Sequence, residues 1–224
     1  LRGQRLLVTA GPNREAIDPV RFLSNRSTGR MGYALAAAAW RRGAEVVLVS
    51  GPTALPAPHG VRCESVLTAA EMHAAVRRAL RDATVLIMAA AVADYTPATV
   101  QPRKLKKGPG PLQLELRRTV DILADLRGRT AGRLLVGFAA ETDDVLARAE
   151  RKLRDKGLDL IVANDVSAAG AGFEVDTNAV TLIDAGGRSE VPLASKDEVA
   201  DRILDRVVAL LAARRRRRSG RRKT

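Results

Sequence analysis

Apolar residues along the chain come in short unbroken runs, each followed by an alanine-rich or amphipathic stretch. Arg5–Ala10 reads as a buried strand and Gly29–Arg42 as a helix stopped by Gly43. Glu45–Ser50 is a second apolar strand, ended by the Gly51-Pro52 turn and a proline-rich loop to Pro58. Val61–Val66 alternates weakly as a third strand. Thr68 then caps a helix to about Asp82, with Glu71 placed to complete a capping box. Thr84–Ala91 is a fourth strand, wholly apolar and so expected near the sheet centre. Strands that are apolar throughout, separated by helices, predict a parallel sheet covered on both faces.

The rhythm breaks after that. Thr96–Pro111 carries Pro97, Pro102, Lys104, Lys106 and Lys107 before Gly108-Pro109-Gly110-Pro111, the composition of an exposed loop. Leu112–Leu116 alternates as an edge strand, and Val120–Leu126 reads as a short helix. Strand Leu134–Ala139, helix Asp143–Lys156 ended by Gly157, and strand Asp159–Ala163 restore the α/β order. Ala179–Asp184 and Arg188–Pro192 form a hairpin across Ala185-Gly186-Gly187. Ser195, with Glu198 three residues on, caps a last helix running from Lys196 towards Ala213. No internal repeat is present. The fold class is therefore an open, mostly parallel α/β sheet with a small edge-strand and hairpin extension.

In such sheets ligands bind beyond the carboxyl ends of the strands, where the strand order reverses. The residues there are polar: Thr9–Thr28, Asp94–Lys107, Glu141-Thr142 and Asn164-Asp165. Ser27-Thr28-Gly29-Arg30-Met31-Gly32 has the makings of an anion cradle. A hydroxyl would cap the helix, Gly29 would admit a ligand to the backbone, and first-turn amides would face it. Gly32 would let the helix pack closely on a strand. An ordinary helix start with small residues is the competing reading.

Charge changes the picture less than its headline suggests. The chain of 224 residues has a formal charge of +13, but eight positive charges fall in the last eleven residues, from Arg214 to Lys223. The body carries only +5, which suits an anionic small molecule as well as a nucleic acid. The arginine run is expected to be a disordered tail, 214–224, beyond a domain spanning 1–213. No apolar run reaches the roughly eighteen residues of a membrane helix. The start lacks both the layout of a secretory signal and an initiator Met, so an excised piece of a longer cytoplasmic polypeptide is expected. The single Cys63 cannot form an internal disulfide.

The usual nucleotide signatures are missing. The first turn is Gly11-Pro12-Asn13 rather than G-x-G-x-x-G, and the second strand ends Val49-Ser50-Gly51 with no carboxylate for a ribose. Neither Tyr33 nor Tyr95 has a lysine four residues on, and no P-loop exists. His59 and His73 stand apart, which disfavours a metal site or a histidine base.

Longer motifs carry a resemblance. Thr9–Glu15 (TAGPNRE), Ile17–Gly32 (IDPVRFLSNRSTGRMG), Ala89–Tyr95 (AAAVADY), Lys104–Lys107 (KLKK), Gly137–Thr142 (GFAAET) and Asp159–Asp165 (DLIVAND) stand in this order. Together they resemble the phosphopantothenate–cysteine ligases, known as the C-terminal half of a bifunctional decarboxylase/ligase of coenzyme A synthesis, over nearly everything but the tail. The resemblance implies a Rossmann-like fold with a mobile lysine flap. It implies an enzyme that activates 4'-phosphopantothenate with CTP to an acyl-cytidylate, releasing pyrophosphate, and condenses it with L-cysteine. Magnesium would enter with the CTP phosphates, and FMN only with a fused flavin-dependent decarboxylase half. A homodimer is implied; membrane and nucleic-acid partners are not.

Residue by residue, the resemblance puts catalytic roles on Asn25, Arg21, Ala91 and Lys104. Asn25 matches the asparagine that turns the acyl-cytidylate over, and Arg21 an arginine suited to a substrate oxygen. Ala91 matches strand-end backbone at the cavity, and Lys104 the flap lysine. Nucleotide contacts fall on Gly11, Ser27, Gly29, Ala89, Ala90, Asp94, again Lys104, Val120, Asp121, Ile122, Leu123, Phe138, Lys152 and Lys156. Departures are Thr119-Val120 for Asn-Pro, Arg30 for a common Lys, and Asn13 and Arg26 for frequent Thr and His. The α/β pattern alone would also admit a nicotinamide-dependent oxidoreductase, and the arginine tail a nucleic-acid-binding module.

Overall fold

The computed structural model describes residues 1–165 and 172–220. Its strands are β1 (Arg5–Ala10), β2 (Arg14–Ala16), β3 (Phe22–Ser24), β4 (Glu45–Ser50), β5 (Arg62–Ser65), β6 (Val85–Met88), β7 (Tyr95–Pro97), β8 (Leu116–Arg118), β9 (Leu134–Glu141), β10 (Leu160–Asp165), β11 (Thr177–Asp184) and β12 (Gly187–Ser195). Its helices are α1 (Arg30–Arg41), α2 (Ala69–Ala79), α3 (Ile122–Asp125), α4 (Val145–Lys156) and α5 (Lys196–Gly220).

One sheet of eight strands runs in the order β12-β11-β10-β9-β6-β1-β4-β5. All pairings from β5 to β10 are parallel, and the β11–β12 hairpin closes the far edge antiparallel. Side chains alternate across the pleat, so each central strand serves two cores. Leu6, Val8, Ile87, Val136 and Val162 pack with Leu35, Ile203, Leu204 and Val207 under α1 and α5. Leu7, Val49, Leu86, Leu135 and Ile161 pack with Met72, Val76, Leu126 and Ala149 under α2, α3 and α4. That double burial is why these strands read as unbroken apolar runs.

The helix signals hold at two sites. The Thr68 hydroxyl accepts from the Glu71 amide at 3.1 Å while Glu71 reaches back to the Thr68 amide, a capping box. Ser195 and Glu198 reciprocate in the same way at the start of α5.

Elsewhere the structure corrects the reading. The β2–β3 hairpin lies inside the stretch read as a polar loop; each strand has only three residues, too few to show a period. The edge strand expected at Leu112–Leu116 is instead β8, Leu116–Arg118, paired with β7 in a separate small sheet. Leu112, Leu114 and Leu116 are all exposed, so their alternation marks no buried face. The last helix does not stop at Ala213: α5 runs on to Gly220, because arginine is a good helix former and Arg214 docks. Its guanidinium pairs with Asp159 and donates to the Arg133 carbonyl at 2.6 Å. Residues 221–224 of the expected tail lie outside the described residues. No helix among the described residues is long and apolar enough to cross a membrane.

Candidate active site

The strand order reverses at β1, which has β4 on one side and β6 on the other. The chains leaving β1 and β6 stay joined beyond the sheet. The Ala90 amide donates to the Thr9 hydroxyl at 3.1 Å and the Ala91 amide to the Gly11 carbonyl at 3.0 Å. Gly11 has φ +76°, and a Cβ there would sit 3.0 Å from the Gly51 carbonyl oxygen. Gly29 has φ +81°, and a Cβ there would meet the Thr53 methyl at 2.7 Å and the Gly11 nitrogen at 3.2 Å. Only glycine suits either position. At Gly32 a Cβ would lie 2.5 Å from that of Ala10, so α1 packs directly on the end of β1.

The expected hydroxyl cap on α1 is not found. Gly29 itself is the N-cap, in a left-handed conformation with no side-chain cap bond. The positive φ demanded by its close approach to Gly11 rules out a β-conformation serine or threonine there. Ser27 accepts from the Gly29 amide at 3.2 Å, and the Thr28 hydroxyl donates away to the Phe173 carbonyl at 2.8 Å. The first-turn amides of α1 are thus left without a protein side-chain cap at the mouth of a cleft of about 460 Å³. Arg14, Phe22, Asn25, Ser27, Arg30 and the Pro52–Leu55 segment line it. The Arg14 guanidinium stacks 4.6 Å over the Phe22 ring, and Arg30 pairs with Asp176 at 2.5 Å. A helix start with two arginines beside it favours an anion.

Asn25 lies on the cleft wall. Its Nδ2 donates to the carbonyls of Ala91 and Val92 at 3.0 and 3.2 Å. Two carbonyl neighbours identify that end as the NH₂, leaving Oδ1 as the acceptor. The structure therefore brings Asn25, Ala91, Ala89, Ala90, Gly11, Ser27 and Gly29 together at one junction.

Arg21 is engaged more than expected. Its Nε and Nη2 contact Asp18 Oδ2 at 3.0 and 2.6 Å, and Nη2 also donates to the Leu105 carbonyl at 2.7 Å. The Leu105 amide donates to the same Asp18 oxygen at 3.1 Å. Burial opposes ionisation of Asp18, but Arg21 and the amides of Val20, Leu105 and Arg21 outweigh it, holding the carboxyl well below the ordinary range. Lys104 is exposed beside this anchor.

The remaining predicted contacts form a second group around α4. Lys152 Nζ donates to the Phe138 carbonyl at 2.8 Å. Burial pushes its ammonium below the usual lysine value, while Glu141, Asp121 and Asp94 pull the other way. Lys156 pairs with Asp121, whose other oxygen accepts from the Ala124 amide at 3.0 Å and so caps α3. Asp94 is exposed, with its carbonyl accepting from the Thr119 amide at 2.9 Å. Val120 is exposed, whereas Ile122 is buried in the core and Leu123 packs on it. The Phe138 side chain packs on the opposite core, under α1 and α5. Only its backbone meets Lys152, so Phe138 and Ile122 are primarily packing residues.

None of this second group lines the 460 Å³ cleft. The two groups flank the end of β6 and are linked through the Ala91–Asp94 turn. Asp18, Arg14 and Thr28 carry polar roles that the sequence reading passed over. The Asp18/Arg21 spacing within one turn was a signal for the pair, but the contact to Leu105, far along the chain, was not visible. No cluster of three or more His, Cys, Asp or Glu side chains fit to hold a metal occurs among the described residues.

A switch point furnished with two glycines against a helix start, an arginine-lined cleft and a half-buried lysine make this an open α/β protein whose site suits an anion. Residues 1–211 match the family model described as the DNA/pantothenate metabolism flavoprotein C-terminal domain, and the chain belongs to that family. It is 51% identical over 212 residues to the coenzyme A biosynthesis bifunctional protein CoaBC of Bacillus subtilis, covering 94% of this chain and 52% of the relative. The chain spans about half the length of the curated relatives it matches. A crystal structure of the C-terminal domain of a CoaBC protein superposes with a TM-score of 0.82 at 45% identity, covering 95% of this chain and 98% of that one. A Cab2 variant in complex with phosphopantothenate-cysteine shares the fold, with a TM-score of 0.77 at 16% identity over 96% of this chain and 89% of that one.

Proposed function

We propose that this chain is the phosphopantothenate–cysteine ligase unit of coenzyme A biosynthesis. The observation that carries the reading is its 51% identity to a CoaBC protein over 94% of this chain. A carboxylate oxygen of 4'-phosphopantothenate attacks the α-phosphorus of CTP, and pyrophosphate leaves. The amine of L-cysteine then attacks the acyl carbon, loses a proton, and CMP departs with the carboxylate-derived oxygen.

The first-turn amides of α1, with Gly11, Ser27 and Gly29, receive phosphate. Asp94, Asp121, Val120 and Leu123 face the nucleoside side, where Lys152 and Lys156 supply positive charge. Asn25, held by two carbonyls, offers Oδ1 to an N–H of the attacking amine and orients it. Lys104 neutralises the departing pyrophosphate, and its loop keeps water from the mixed anhydride. Magnesium, entering with CTP, would supply screening of the triphosphate charge when bound.

The exposed apolar side chains Val20, Phe22, Val100, Leu112 and Leu116 on and beside the small hairpins support a homodimer. The relatives' doubled length supports fusion to a flavin-dependent decarboxylase, and FMN would belong to that half. A cytoplasmic location accords with this role. The test is pyrophosphate release by the purified chain with magnesium, requiring both CTP and phosphopantothenate, followed by amide formation on adding cysteine. Absence of both steps refutes the reading.

A further inference from the structure

We propose that Asp18 is the positioning residue that fastens the lysine loop across the active site. The inference rests on the ligase reading for its consequence, though not for its geometry. The loop is bound at two points that bracket Lys104. The Gln101 amide donates to the Ile17 carbonyl at 2.9 Å. Leu105 is held through both backbone groups, its amide on Asp18 Oδ2 at 3.1 Å and its carbonyl on Arg21 Nη2 at 2.7 Å.

Asp18 organises both anchors. Its side chain is fully inaccessible, while that of Arg21 remains 41% exposed. Oδ1 accepts from the Val20 and Arg21 amides, each at 2.8 Å, which shapes the 17–21 turn. Oδ2 orients Arg21 and takes the Leu105 amide. One oxygen builds the turn and the other grips the loop. A buried, ionised carboxylate shared by a guanidinium and a remote backbone amide is more than the turn requires. The same turn leads through β3 to Asn25, so loop closure and the placement of Asn25 depend on one carboxylate. An exposed loop with few buried contacts opens locally unless such bonds hold it.

Asp18→Asn separates the two functions. The amide oxygen can still accept from Val20 and Arg21, but an NH₂ at the Oδ2 position meets donors on both sides. Arg103, Lys104, Lys106 and Lys107 give the loop its own trypsin sites. Loss of a charge-assisted bond is expected to speed cleavage there about tenfold in a variant with a wild-type melting profile. Cleavage after Arg77 or Arg78 in α2 should not change. With substrates, pyrophosphate released per amide formed should rise above the wild-type ratio as activated acid leaks to water.

Unchanged loop cleavage overturns the proposal, as does acceleration equal at the α2 sites. If Asp18→Asn does not fold, Arg21→Gln, which removes the Leu105 carbonyl bond, decides by the same digest. Faster loop cleavage in a chain that shows no ligase activity at all, even as wild type, would sustain the fastening and refute the ligase reading. Normal turnover with an unchanged digest would do the reverse.

Discussion

Gly32→Ala tests how tightly the cradle is built onto the sheet, because two effects of opposite sign compete. In an open helix interior, replacing Gly by Ala stabilises by about 1 kcal/mol. At Gly32 the new methyl would lie 2.5 Å from Ala10 Cβ and 2.8 Å from the Thr9 carbonyl oxygen, where ordinary contacts are about 3.4–4 Å. Ala10 is fully buried and Thr9 belongs to the central strand, so neither can yield. The helix must move by roughly 1 Å, and overpacking of this kind costs about 1–3 kcal/mol. With Ala10 and Thr9 both rigid, the upper half of that range applies and outweighs propensity, for a net loss of about 1–2 kcal/mol. In a domain of this size that lowers the melting temperature by about 3–6 °C. Because Gly29 caps the same helix, nucleotide affinity should fall as well. Calorimetry with and without CTP and magnesium reads both effects. A melting temperature that rises would show that propensity wins and that the helix does not bear on β1 as described.

Asn25→Asp replaces an amide donor by a carboxylate facing the carbonyls of Ala91 and Val92, while the Gly11–Gly29 cradle is untouched. Pyrophosphate release should be largely kept and transfer to cysteine stalled; equal loss of both, by rapid quench, would remove the role given to Asn25. Burial lowers the Lys152 pKa, so its positive charge is lost earlier than usual as pH rises. CTP affinity should therefore decline on the alkaline side below pH 10.5, the ordinary lysine value, and Lys152→Arg should remove that decline; titration calorimetry across pH measures it. Asp184, buried at β11, is held below the ordinary carboxylate range because Arg206 and the Gly186 amide outweigh the effect of burial. A depressed carboxylate stabilises the fold above its unfolded pKa near 4 and loses that contribution as pH falls through the lower folded value. Arg206→Met should cost about 1–2 kcal/mol at neutral pH, with the deficit shrinking in acid, as followed by denaturant unfolding.

Local chemistry was legible where partners lie within a few residues. Thr68 with Glu71 and Ser195 with Glu198 announced helix starts, and the unbroken apolar strands announced a sheet covered on both faces. Gly32 announced close packing because only a glycine inside an otherwise alanine-rich helix needs such a reason. What stayed hidden depended on contacts across the chain. Asp18 drew no role from the sequence because its second oxygen binds Leu105, far along the chain, and Arg21 was matched to a substrate oxygen with no sign that it also holds Asp18 and the Leu105 carbonyl. Gly29 was read as a residue after a hydroxyl cap, since nothing local reveals its approach to Gly11 and Thr53. The Leu112–Leu116 alternation misled because periodicity reports a buried face only when something covers it. The arginine run misled in the opposite sense, since Arg214 docks on Asp159 and the Arg133 carbonyl and the helix runs on past the expected end.

The central claim is a bond between a substrate carboxylate and the α-phosphorus of CTP, made at the junction of β1, β6 and α1. It is tested most directly by running one turnover with phosphopantothenate labelled with ¹⁸O in its carboxylate and weighing the products by mass spectrometry. The account predicts that CMP gains a single heavy oxygen and that pyrophosphate gains none. Label in an inorganic phosphate product, or CMP that forms without any, would contradict it.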